Sequence, residues 1–129
     1  TQIVISGPYQ SIKQAAPVFE EAYATYIPLN VNGAFHSRYM QPAQFIFKEY
    51  IKKITFQKPH LLTIANVTEL PYQYDQLPDL LLTQLTSPVQ WLKSIEYLFQ
   101  LGECEFYETG PGHILTNLIN KIKKETTIH

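Results

Sequence analysis

The stretch Val31-Asn32-Gly33-Ala34-Phe35-His36-Ser37-Arg38-Tyr39-Met40 decides the fold. Apolar and polar residues alternate over 27–32, which predicts a strand, and the small pair Gly33-Ala34 ends that strand. A histidine follows, just ahead of an amphipathic helix. Such a loop at the carboxyl end of a strand is where α/β enzymes hold a general base. A lone histidine beside a phenylalanine is more often structural, so from position alone both interpretations of His36 stay open.

Outward from this stretch, predicted strands and helices alternate along the chain. Strands are predicted over residues 2–7, 27–32, 61–67 and 104–108. Helices are predicted over 11–26, with either a kink or a separate first turn at Pro17, over 40–54 with Pro42 in the first turn, and over 76–85. A further helix is capped by Ser87, has Pro88 at its first position and stops at Gly102, and the last follows Gly110-Pro111-Gly112. The alternation predicts an α/β class with a mostly parallel sheet.

Composition excludes several classes of protein. The 129 residues are 45% apolar and carry a formal net charge of -1, which is unlike the basic footprint of a nucleic-acid binder. One cysteine excludes an internal disulfide and is typical of a reducing compartment, and no run approaches the ~20 apolar residues of a membrane helix. We therefore expect a cytoplasmic protein. Because the chain opens in mid-strand without a methionine, we also expect a fragment of a longer one.

Most candidate chemical motifs have simpler explanations. Gly110-Pro111-Gly112 before a helix could cradle a phosphate, but the spacing of a phosphate-binding loop is missing and a tight turn is favoured. No G-x-S-x-G elbow is present, and Cys104 is interpreted as a packed thiol. The histidines lie far apart without metal-ligand spacing, so neither a metal nor a cofactor is predicted; they are His36, His60, His113 and His129.

Four motifs in order give a resemblance that covers essentially the whole chain. Gly33-Ala34-Phe35-His36-Ser37 followed by Met40 resembles the histidine motif of the malonyl-CoA:acyl carrier protein transacylases and of polyketide synthase acyltransferase domains, most of all those that act in trans. The other three resemble the family's central strand, its late helix pair and its closing strand and helix. They are Gln2-Ile3-Val4-Ile5-Ser6-Gly7, Gln84-Leu85-x-x-Pro88-Val89-x-Trp91 and Glu108-x-Gly110-Pro111-Gly112-x-x-Leu115.

The resemblance implies the C-terminal part of a longer enzyme. Residues 1–32 would be the second half of an inserted ferredoxin-like subdomain, and residues 33–129 would complete an α/β-hydrolase-like core. The nucleophilic serine elbow, the glutamine loop of the oxyanion hole and the arginine that binds the malonyl carboxylate would lie in a missing N-terminal half of the same enzyme. The 129 residues alone are then expected to be inactive.

The resemblance also implies ping-pong transfer of a malonyl group from malonyl-CoA to the phosphopantetheine thiol of an acyl carrier protein, in polyketide or fatty-acid biosynthesis. His36 would be the general base and Gln84, through its main-chain carbonyl, would orient it. The alternative for Gln84 is a purely structural glutamine whose hydrogen bonds are satisfied at the end of a helix. Phe35 and Met40 would be substrate-binding, with Phe35 disfavouring methylmalonyl, unless its ring serves packing alone. Two other functions stay open: an acyl-carrier thioester hydrolase of the same fold, and a non-catalytic carrier-protein docking fragment.

Overall fold

The computed structural model describes residues 2–102 and 104–126, and its regular structure is helical. His129, one of the four histidines, lies outside the described residues. The five α-helices are α1 Tyr9–Glu21, α2 Gln41–Ile51, α3 Leu77–Gln84, α4 Trp91–Gln100 and α5 Ile114–Thr126. Two 3-10 turns, Arg38–Met40 and Tyr74–Gln76, lead into α2 and α3.

The helix predictions hold apart from one start and one end. Helix α1 ends at Glu21, whereas the prediction continued to residue 26, and Tyr23 already has a φ angle of +57°. Helix α1 runs through Pro17 without interruption, so a separately wound first turn is wrong. Pro42 lies in the first turn of α2 as expected. The helix predicted from a Ser87 cap instead begins at Trp91. The reason is a tertiary hydrogen bond, since the Gln90 amide donates to the Asn66 carbonyl at 2.7 Å and keeps the residues before it out of the helix.

None of the four predicted strands forms a ladder in the described part of the chain, so those four assignments are wrong for this chain. Residues 61–67 come nearest, with an antiparallel bridge between Ile64 and Pro71 before the chain turns at Asn66. A strand needs a neighbour that accepts and donates its backbone hydrogen bonds. The β-prone segments 2–7, 27–32 and 104–108 have no such neighbour among the described residues, although their composition is that of strands.

One cluster of buried side chains joins α4 to α5. It consists of Ile95 of α4 and Ile119 and Ile122 of α5, and the Phe99 and Phe106 rings meet edge to face beside it, 5.8 Å apart. Helix α2 packs on α3, where Ile51 and Leu82 are buried.

Much apolar surface stays exposed elsewhere in the described part of the chain. Ile3 is 80% exposed and Ile27 is 71% exposed, in two of the segments that carry strand-like sequence. In a packed sheet, apolar side chains on such strand-like segments would be covered by neighbouring elements. No helix among the described residues is both long and apolar enough to cross a membrane.

Candidate active site

The candidate site is built where the 33–40 loop meets the C-terminal end of α3. His36 is half-buried, and its Nδ1 atom lies 3.0 Å from the main-chain carbonyl oxygen of Gln84. A carbonyl oxygen can only accept, so this contact requires a hydrogen on Nδ1. In the neutral imidazole the other nitrogen, Nε2, then carries the free lone pair.

The loop holds His36 in an unusual backbone conformation. Its φ angle is +60°, in the left-handed region that residues with a β-carbon seldom adopt. Such strain persists only where neighbouring contacts fix the chain, and it is concentrated at functional sites. The hydroxyl of Ser6 donates to the Phe35 carbonyl at 2.8 Å, on the residue just before the histidine.

Ser37 fixes the other side of the loop. Its hydroxyl donates to the Ala34 carbonyl at 2.6 Å and accepts from the Tyr39 amide at 3.3 Å, as the cap of the 3-10 turn. The backbone amide of Met40 donates to the Ser37 carbonyl at 3.0 Å. Backbone groups on both sides of His36 are therefore paired within the loop or with Ser6.

The two predicted substrate-binding residues lie beside the same glycine. A β-carbon on Gly33 would stand 3.5 Å from the Phe35 ring and 3.9 Å from the Met40 sulfur. Phe35 is about half exposed, at 49%, so its ring borders open space as well as the loop. The structure thus pairs His36 with Gln84 and places Phe35 and Met40 beside Gly33, and Phe35 directly precedes His36 in the chain.

Arg38 follows the histidine by two residues, and its guanidinium donates to the Tyr39 hydroxyl at 3.2 Å and also lies over the Tyr39 ring. That hydrogen bond raises the pKa of Arg38 above its already high ordinary value, so the residue is a permanent cation. No group of three or more potential metal-ligating side chains occurs within residues 2–102 and 104–126.

The glycine-rich turn before α5 is occupied by the protein's own carboxylate. Glu108 accepts from the Leu115 and Thr116 amides at 3.1 and 3.0 Å and from the Thr116 hydroxyl at 2.7 Å. The hydrogen bond from the Thr116 side chain, followed by those from the two amides, lowers the pKa of Glu108. These are the donors that a bound phosphate would need, so the geometry favours the tight-turn interpretation.

A separate cavity of about 310 Å³ lies between α4, α5 and the segment before α5. Trp91, Ile95 and Ile119 are among its lining residues, and His36 is not. The Trp91 indole nitrogen is buried without a hydrogen-bond partner among the described residues. This cavity is thus distinct from the loop that carries the histidine.

Sequence reasoning missed Gln44. Its side-chain nitrogen donates to the Leu82 carbonyl at 2.8 Å and to the Thr86 hydroxyl at 3.2 Å, at the helix end that receives His36. A signal was present in the sequence. Gln44 shares the face of α2 that carries Phe47 and Ile51 at helical spacing, and a polar residue on an apolar face needs a partner.

Comparisons with known proteins agree on one family. No established family profile matches the chain. In sequence it is 48% identical to the polyketide biosynthesis protein PksE of Bacillus subtilis, over 96% of this chain and 16% of that protein. It is 44% identical to the polyketide biosynthesis malonyl CoA-acyl carrier protein transacylase PksC of the same organism, over 96% of this chain and 44% of that protein.

Solved structures give the same result. The malonyl CoA-acyl carrier protein transacylase of Burkholderia pseudomallei superposes with a TM-score of 0.82 and 35% identity, over 92% of this chain and 43% of that one. The chain also matches, with a TM-score of 0.84 and 27% identity, a structure described as a type II PKS acyl-carrier protein in complex with its malonyl-transacylase, covering 92% of this chain and 39% of that one. These neighbours agree with the predicted α/β acyltransferase fold.

The chain spans less than half the length of each of these relatives. The family predicted from the four motifs is confirmed: over nearly its whole length, this chain is homologous to part of the malonyl CoA-acyl carrier protein transacylases.

Proposed function

We propose that these residues supply the general base of a malonyl-CoA:acyl carrier protein transacylase in polyketide or fatty-acid biosynthesis. The observation that carries the proposal is the 3.0 Å contact between His36 Nδ1 and the Gln84 carbonyl. It leaves Nε2 as the proton acceptor in the neutral ring, which is the state a general base needs. The names of the relatives, PksC among them, support the substrate and the acceptor.

In the first half-reaction His36 takes the proton of a serine hydroxyl as its oxygen attacks the thioester carbonyl of malonyl-CoA. The new C–O bond replaces the C–S bond, and His36 returns the proton to the CoA sulfur. This nucleophile lies outside the 129 residues, which contain no G-x-S-x-G elbow. The orienting carbonyl belongs to the last residue of α3, and the negative end of a helix dipole favours the positive charge that the ring carries between these steps.

In the second half-reaction His36 deprotonates the thiol of a phosphopantetheine arm on an acyl carrier protein. That sulfur attacks the malonyl ester, the C–S bond forms again, and the serine oxygen leaves with the proton. A carrier protein as partner is supported by the homologous complex of an acyl-carrier protein with its malonyl-transacylase. Phe35 and Met40, side by side at Gly33, are proposed to border the acyl group.

The test uses the complete enzyme that contains this chain. Malonylation of the enzyme and then of a holo carrier protein is followed by intact mass after mixing with malonyl-CoA. The His36→Ala variant should lower the rate of enzyme acylation roughly 10²–10⁴-fold, the usual worth of a positioned general base. The matched control is His60→Ala, which removes an exposed histidine outside the site.

Three results would contradict parts of the proposal. Acylation of His36→Ala at the wild-type rate removes His36 from the mechanism. Acylation of the enzyme followed by loss of malonate to water, with no transfer to the carrier protein, would indicate the hydrolase instead. A complete protein that binds the carrier protein but is not acylated would indicate a docking role.

A further inference from the structure

Gln44 joins helix α2 to the end of helix α3. Its Nε2 atom is 2.8 Å from the Leu82 carbonyl oxygen and 3.2 Å from the Thr86 hydroxyl oxygen, and the side chain is half-buried. The Leu82 oxygen can only accept, so the group that faces it is the NH₂ of the amide. One side chain from α2 therefore spans the last turn of α3.

That last turn is also the one that meets His36. The final carbonyl groups of a helix have no partner within the helix. Here the Leu82 carbonyl accepts from Gln44 and also, at 3.3 Å, from the Leu85 amide, and the Thr83 carbonyl accepts from the Thr86 amide at 3.1 Å and from its hydroxyl at 3.3 Å. The Gln84 carbonyl is left for His36.

His36 and Gln44 belong to one continuous segment, and both reach the same helix end. His36 precedes the 3-10 turn Arg38–Met40, and Gln44 lies in the first turn of α2, which follows that turn directly. The loop and the helix are thus tied to α3 at two points. A free helix end frays, and a frayed last turn would change the direction of the Gln84 carbonyl.

We propose that Gln44 is a positioning residue for His36. By holding Leu82 and Thr86, its amide fixes the last turn of α3, so that the Gln84 carbonyl faces Nδ1 and the ring keeps its hydrogen there. The catalytic part of this inference rests on the proposed role of His36 as the general base. The effect on the ring does not, because the hydrogen bond exists in the free protein.

The test replaces Gln44 with methionine in the complete enzyme, since methionine has a similar length and cannot donate. The matched control is Gln41→Met. Gln41 is an exposed glutamine that lies one turn before Gln44 in α2. The first readout is the tautomer of the neutral His36 ring, from ¹⁵N chemical shifts of selectively labelled histidine. The second is the division of the effect between kcat and KM for malonyl-CoA.

The wild-type ring should carry its hydrogen on Nδ1, and Gln44→Met should show a second population with the hydrogen on Nε2. The same variant should lose roughly ten- to hundredfold in kcat, the scale of a misplaced catalytic group, with KM changed by less than about twofold. Gln41→Met should match the wild type in both. Thr86→Val removes one of the two acceptors and should give a smaller change in the same direction, which keeps the test valid if Gln44→Met does not fold.

A merely structural glutamine predicts a different result. An unchanged tautomer in the variants overturns the proposal, even where the melting temperature falls or kcat declines. An enzyme that transfers no malonyl group at all, yet shows the tautomer change, contradicts the proposed function and retains Gln44 as the residue that orients the ring.

Discussion

The Nδ1 atom of His36 lies 3.0 Å from the carbonyl oxygen of Gln84, although the two residues are 48 positions apart in the chain. One partner comes from a loop with a φ angle of +60°, and the other is the last residue of an eight-residue helix. Neither residue lies in the interior of a helix or strand, where regular backbone hydrogen bonds would fix its position. The contact is therefore set by how the loop and the helix end are held, and variants of the supporting contacts test it.

Ser37 is the first support to remove. Ser37→Ala loses the hydrogen bond to Ala34 and the cap on the Tyr39 amide, which should cost about 1 kcal/mol of stability. The loop that carries His36 should loosen, so kcat of the complete enzyme should fall several-fold. Chemical denaturation and steady-state kinetics measure the two effects. Ser37→Thr keeps a hydroxyl and should recover most of both, and equal losses in the Ala and Thr variants would assign the effect to packing instead.

The sequence predicted the helices and the residues of the site for different reasons. Apolar spacing found α2 and α5 because an amphipathic stripe is a local property of the chain. The family motifs put Phe35, His36, Met40 and Gln84 together. The structure pairs His36 with Gln84 and places Phe35 and Met40 beside Gly33, although the roles of all four stay predictions.

The errors come from interactions that the local sequence does not contain. Ser87 and Pro88 form a good helix start, yet the hydrogen bond between Gln90 and Asn66 moves the start to Trp91. The β-prone segments have strand composition, but a ladder needs a partner that none of the described residues provides. Gln44 was missed because its partners, Leu82 and Thr86, lie in another helix and just beyond its end. The division into residues 1–32 and 33–129 stays a prediction.

Glu108 should contribute a pH-dependent part of the stability of the α5 N-terminus. Its pKa is lowered in the folded protein by the hydrogen bonds from Thr116 and Leu115, so folding favours the ionised form. The stabilisation is fully present above the unfolded pKa of about 4.3 and is lost as pH falls through the lower, folded value.

The variant Glu108→Gln removes that titration. Its free energy of unfolding relative to the wild type should be lower at neutral pH, and the difference should shrink as the solution is acidified below pH ~4. Denaturant titrations of the complete enzyme over a pH series measure it. Glu49→Gln, at an exposed glutamate paired with Lys52, is the control for a general loss of one negative charge. A difference that stays constant with pH would contradict the assignment to Glu108.

The 129 residues expressed alone should aggregate or remain molten. Few side chains among the described residues are buried, and large apolar side chains such as Ile3, Ile27 and Tyr107 are largely exposed to solvent. A chain that buries so little apolar surface is expected to unfold with little cooperativity. Differential scanning calorimetry and dye binding would show a broad transition and an open apolar surface. A sharp, cooperative transition of a monomer would mean that the chain is stable without further partners.

The last prediction concerns the choice of acyl group, and it depends on Phe35 being next to the proposed base. The ring is about half exposed and lies beside Gly33, and we expect it to border the acyl site because Phe35 directly precedes His36. A methyl group on the malonyl α-carbon would need some of that space. Discrimination by one methyl in an apolar pocket is worth about 1–3 kcal/mol.

Phe35→Ser should therefore raise the ratio of kcat/KM for methylmalonyl-CoA to that for malonyl-CoA by roughly tenfold or more. It should also lower stability, because a partly buried ring is lost. Phe45→Ser is the matched control, since Phe45 is 74% exposed on α2 and should leave the ratio unchanged. Competition between the two CoA esters for one enzyme measures the ratio directly and is insensitive to the fraction of folded protein. A Phe35→Ser enzyme that is folded and keeps the wild-type ratio would show that Phe35 serves packing alone.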